Sequence, residues 1–104
     1  MQVDPVIPQL LDIKHKDQTQ RLAAATSELR TLEQKRADLL REYEQLDDRK
    51  DGFTQMSIAN GYLRYMRHRQ DALDRKIAEM RKQVDAIQEE LRQTVFSQSM
   101  LNNL

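Results

Sequence analysis

Leu63, Met66, Gln70, Leu73, Ile77, Met80, Val84, Ile87 and Leu91 follow one another at alternating steps of three and four residues, and only Gln70 is not apolar. This spacing puts all of them in one narrow stripe along a helix. In water such a stripe must be covered by another helix. A second run has the same spacing: Leu22, Ala25, Leu29, Leu32, Arg36, Leu39, Tyr43 and Leu46. Carried backward, it passes through Gln18, His15 and Leu11. The first run, carried forward, passes through Thr94, Gln98 and Leu101. Both seams therefore become more polar away from the Gly52 region.

The two runs are separated by Asp51-Gly52, the first strong helix breaker after Pro8. Glycine there can end a helix in the left-handed conformation that C-caps favour. Asn60-Gly61 is a second turn signal. It either lengthens the loop or lies in the first turns of the second helix, and the heptad phase through Met56 and Ala59 favours a break near Gly52. Asp4 reads as an N-cap with Pro5 in the first turn. Pro8 either shares that turn or marks the start of the regular helix. The spacing predicts helix one over about 8–50, a turn over about 51–56 and helix two over about 57–98. The chain as a whole (residues 1–104) is then a single all-α domain: two long helices forming an intramolecular antiparallel coiled-coil hairpin. Layering seam against seam pairs residues whose numbers sum to about 109, such as Tyr43 with Met66, Leu32 with Ile77 and Leu22 with Ile87. A shift by one heptad leaves almost no loop. The favoured register sets Arg36 against Leu73 and Gln70 against Leu39, where polar groups must reach the edge or find local hydrogen bonds.

Composition narrows function more by exclusion. Lys plus Arg equals Asp plus Glu, at 17 each, so the formal net charge is zero. A general nucleic-acid binder carries a basic excess, so no nucleic-acid partner is expected. The absence of cysteine removes disulfides, thiolate metal sites and thiol catalysis. The two histidines, His15 and His68, fall far apart along the expected hairpin, which argues against shared metal ligation. No carboxylate pair sits in an apolar setting that could serve acid–base chemistry, and no Gly-rich phosphate loop is present. The reading is a non-enzyme without cofactor or metal. No run is apolar enough for direct membrane insertion, and no signal peptide is expected.

Two surface features stand out. Arg64, Arg67, His68 and Arg69 form a basic run, with Asp38, Glu42, Glu44, Asp47 and Asp48 at the same expected height on helix one. Either these charges neutralise one another or part of the run is a docking patch for an acidic partner. Ile58, Tyr62, Tyr65 and Arg69 share a helical face that is not the seam, and Phe53 adds an apolar residue near the turn. Exposed aromatics beside an Arg are typical interface anchors, unless the turn folds back over them.

Tyr43, Gly52, Asn60, Tyr62 and the heptads through Leu73, Ile77 and Met80, together with the opening Leu10-Leu11-Asp12-Ile13-Lys14, resemble the FliJ family over nearly the whole chain. That family supplies the coiled-coil stalk of flagellar and type III secretion export ATPases and is similar to the rotary ATPase gamma subunit. The resemblance implies a cytoplasmic protein, peripheral to a membrane export apparatus and monomeric by itself. Its implied partners are a hexameric export ATPase, an export-gate membrane protein and export chaperones. The ATPase contact would fall on Leu10, Leu11, His15, Val95 and Phe96. The gate contact would fall on Phe53, Ile58, Tyr62, Tyr65 and Arg69. Two other readings compete. A prefoldin-type chaperone subunit needs strands within Phe53 to Tyr65. A generic coiled-coil adaptor or homodimer could join both runs in one continuous rod.

Overall fold

The computed structural model describes residues 4–47 and 53–104, with backbone alone for 46–47 and 53–59. Two helices account for nearly all of it: α1 (Val6–Asp47) and α2 (Phe53–Asn102). They pack against each other as an antiparallel helical hairpin, and no strand occurs among the described residues. The Gly52 cap and Asp48 lie outside the described residues, as do the side chains of Leu46, Asp47, Phe53, Met56, Ile58 and Ala59.

The start of α1 is set locally. Asp4 Oδ1 accepts the Val6 N–H at 2.9 Å, and the Asp4 carbonyl accepts the Ile7 N–H at 3.1 Å. This satisfies two of the donors that a helix start leaves open. Pro8 lies within the first turn, where its missing N–H costs little. Asn60 and Gly61 lie inside α2. The last turn closes with Asn103 N–H on Ser99 O and Leu104 N–H on Leu101 O, both at 3.2 Å.

The helices divide into two compact units: residues 29–79, and residues 1–28 with 80–104. In the first, Leu32, Leu39, Met66, Leu73 and Ile77 are buried, with Leu29, Leu63, Arg36 and Gln70 half-buried. All are seam positions. Arg36 does not end among apolar groups: its Nε donates to Asp74 Oδ1 on the other helix. Its stem covers the seam while its head reaches the edge. A small recess is lined by Leu39 and Tyr43 from α1 and by Gln70 and Met66 from α2, the neighbours that the expected register pairs.

In the second unit Val84 and Ile87 are buried, with Leu22, Ala25, Met80 and Leu91 half-buried. Arg21 Nη1 donates to Glu90 Oε2 at 3.2 Å, and Gln98 Nε2 donates to Asp12 Oδ1 at 3.0 Å. Both pairs suit the favoured register and neither suits a one-heptad shift. Beyond Leu22 and Leu91 the next two seam positions on each helix are polar: Gln18 and His15 on α1, Thr94 and Gln98 on α2. Gln18 and Thr94, each 2% exposed, are the most buried of these.

Candidate functional site

Two surfaces depart from the pattern of a coiled coil that serves only to hold itself together. The first is formed by residues 4–18 and 91–104. Its inner face carries Gln18, Thr94, His15 and Gln98. Thr94 satisfies its hydroxyl on the Glu90 carbonyl at 3.1 Å. Gln18 Oε1 is buried and accepts no hydrogen bond from any described residue. Such an orphan acceptor costs about 1–3 kcal/mol. The outer face is the reverse. Val6, Leu10, Ile13, Val95, Phe96 and Met100 are exposed, Ile13 by 66% and Phe96 by 65%. Ile13 lies midway between seam residues Leu11 and His15, and Phe96 midway between Thr94 and Gln98. Each therefore stands on the far side of its helix.

Of the residues expected to meet an ATPase, Leu10, Val95 and Phe96 are exposed, while Leu11 and His15 are half-buried in the seam. Leu11 also lines an open groove of about 310 Å³ with Pro8, Asp12, Gln98, Leu101 and Asn102. Sequence reasoning passed over Val6, Ile13 and Met100. Their signal was present: Val6, Leu10 and Ile13 have helical spacing, as do Phe96 and Met100.

The second surface belongs to residues 29–79. Tyr62 and Tyr65 are exposed by 42% and 56%. Their rings stack with centroids 6.0 Å apart and an interplanar angle of 28°. The Tyr62 hydroxyl donates to Glu42 Oε2 on α1 at 3.3 Å. The Glu42 carboxylate raises the Tyr62 pKa above its ordinary value of 10.0, because a phenolate there would face a negative charge. Desolvation, the hydrogen bond and Tyr65 act in the same direction. With Lys35, Asp38, Leu39 and Arg69, these residues line a groove of about 390 Å³. Phe53 and Ile58, expected on the same face, have side chains outside the described residues.

Of the acidic residues expected opposite the basic run, the Asp47 side chain and Asp48 lie outside the described residues, and Asp38 and Glu42 bond elsewhere. Asp38 Oδ1 accepts from Arg41 at 2.8 Å and from Gln34 at 2.9 Å, both on its own helix. Glu42 accepts from Tyr62. Arg64, Arg67, His68 and Arg69 are exposed and bond to none of these carboxylates.

His68 is exposed and His15 half-buried. Among the described residues no group of His, Cys, Asp and Glu is placed to hold a metal ion. No described helix is long and apolar enough to cross a membrane. Comparison with known protein families, curated proteins and solved structures finds no match to the chain. The surfaces therefore have to be interpreted from their own chemistry.

Proposed function

We propose that the chain is a non-enzymatic coiled-coil stalk or adaptor of a flagellar or type III protein export apparatus, as its resemblance to the FliJ family implies. Residues 4–18 and 91–104 engage the export ATPase hexamer, and the Tyr62 face engages the export gate. The observation that supports this best is the reversed patterning of the first surface. Ile13 and Phe96 stand on the far sides of their helices, so a flat partner cannot cover both. A partner that encloses the helix pair, as the pore of a ring does, can. Covering a half-exposed side chain of this size stabilises a complex by about 1 kcal/mol. The polar seam beneath supplies little cohesion, which suits a segment completed by its receptor.

The prefoldin-type reading requires strands within Phe53 to Tyr65, and that segment is helical. The test is direct. Added to the cognate ATPase, the chain binds the hexamer and raises its turnover, and the pair Ile13→Gln with Phe96→Gln abolishes both while helicity is unchanged. An ATPase that neither binds the chain nor responds to it sinks the proposal.

A further inference from the structure

We propose that the groove at Tyr62, Tyr65, Arg69 and Lys35 is a receptor for an acidic peptide segment carrying an aromatic or large apolar side chain. This deepens the gate-facing part of the reading above and rests on it only in assuming that this face meets a protein. Charge complementarity carries the choice of occupant. The groove contains two carboxylates and two cations, but they are not equivalent. Asp38 is engaged by Arg41 and Gln34, and Glu42 by the Tyr62 hydroxyl. Among the described residues, Lys35 and Arg69 have no hydrogen-bond or ion-pair partner.

The Tyr62 hydroxyl leaves the Glu42 charge in place, but Lys35, Arg69 and the Arg41 that pairs with Asp38 outnumber the two carboxylates, so the charge left for a ligand is positive. No acidic residue occurs between Gly52 and Asp71 in the sequence, so this part of α2 adds no negative charge to the groove. Beside the cations stand two stacked phenol rings, which offer apolar faces at little entropic cost because few torsions are fixed. A carboxylate on Arg69 and Lys35 with an apolar side chain against the rings uses all four groups. A single nucleic-acid strand also pairs phosphates with cations and bases with rings. Its charge is continuous, however, and would run past the fixed carboxylates of Asp38 and Glu42. A peptide can space its carboxylates to avoid them. The zero net charge of the chain points the same way.

The test uses the full chain and no other protein. A fluorescein-labelled peptide of sequence Glu-Glu-Phe-Glu-Glu-Leu-Glu-Glu is titrated by fluorescence anisotropy, beside the same peptide with Lys for every Glu and a uridylate RNA strand of equal charge. The acidic peptide binds, and its affinity falls with added salt. Lys35→Gln combined with Arg69→Gln weakens it about tenfold, and Tyr62→Ser combined with Tyr65→Ser does so by a similar factor. Circular dichroism verifies that these surface variants keep their helicity. No binding of the acidic peptide, equal binding of its lysine counterpart, tighter binding of the RNA, or unchanged affinity in the Lys35/Arg69 variant each overturns the proposal. A chain that binds the peptide but leaves the export ATPase unaffected refutes the export reading alone.

Discussion

Residues 29–45 and 60–79 bury seam side chains that are apolar, Leu32, Leu39, Met66, Leu73 and Ile77, whereas residues 4–18 and 91–104 bury Gln18 and Thr94 and expose Ile13 and Phe96. Among the described residues both stretches are regular helix, so the backbone does not distinguish them. The difference lies in what covers each face. The first stretch covers its own apolar stripe and derives cohesion from it. The second sets Gln18 and Thr94 in its seam and leaves Ile13 and Phe96 exposed. The pattern of burial thus changes along the hairpin without any change of secondary structure among the described residues.

The sharpest way to break this comparison is to remove equal apolar volume from each stretch. Leu73→Ala empties a buried seam position and should cost about 2–4 kcal/mol, with a matching fall in melting temperature followed by circular dichroism. Leu10→Ala removes the same atoms from an exposed face and should change stability by less than about 0.5 kcal/mol. Similar losses at both positions would mean that the outer face of residues 4–18 is not free in the isolated chain.

Gln18→Leu probes the polar side of the contrast. It replaces a buried amide whose Oε1 has no described partner with an apolar group of similar size. The variant should gain about 1–2 kcal/mol. Amide hydrogen exchange should slow first around residues 11–22 and 87–98. If binding to the proposed ATPase hexamer depends on a weakly held seam, the same variant binds it less well although it is more stable. A destabilised Gln18→Leu would show that the amide has a role in holding the helices together.

The seam was legible in the sequence because it needs only periodicity. From Leu11 to Leu39 and from Leu63 to Leu101, every position in phase is buried or half-buried. Tyr43, although in phase, stays exposed. Which polar members lie deepest was not legible. Arg36 and Gln70 interrupt the most apolar part of the pattern and drew attention, yet both are only half-buried, and Arg36 is long enough to reach Asp74. Gln18 is shorter and sits where its neighbours close over it, which depends on packing and not on spacing. The outer apolar face was hidden for a different reason. Val6 and Ile13 repeat with Leu10 in a second, shorter phase, and so brief a repeat does not stand out from scattered surface apolar residues.

Gly61→Ala sharpens the contrast on the Tyr62 side. Gly61 lies within α2, and a Cβ built there meets nothing within 4 Å. Alanine in an open helical position should stabilise the chain by about 0.5–1 kcal/mol, since it lowers the entropy of the unfolded state. The melting temperature reports this gain. If the added methyl group also weakens binding of the acidic peptide, the glycine leaves room for a ligand beside Tyr62.

The smallest effect is electrostatic and belongs to the same face. Tyr62 is held above the ordinary tyrosine pKa chiefly by the charge of Glu42, with desolvation, their hydrogen bond and Tyr65 adding to it. A phenol whose folded pKa exceeds its unfolded value contributes stability that is complete below the unfolded pKa and is lost as pH rises through the folded one. Its contribution is therefore intact at neutral pH and fades only in alkali. Glu42→Gln removes the charge and should bring the Tyr62 titration, followed by its ring resonances in NMR, down toward that of a free tyrosine. The same substitution makes the groove more positive, so the acidic peptide should bind slightly more tightly. If Tyr62 titrates unchanged in Glu42→Gln, the two side chains do not interact in solution.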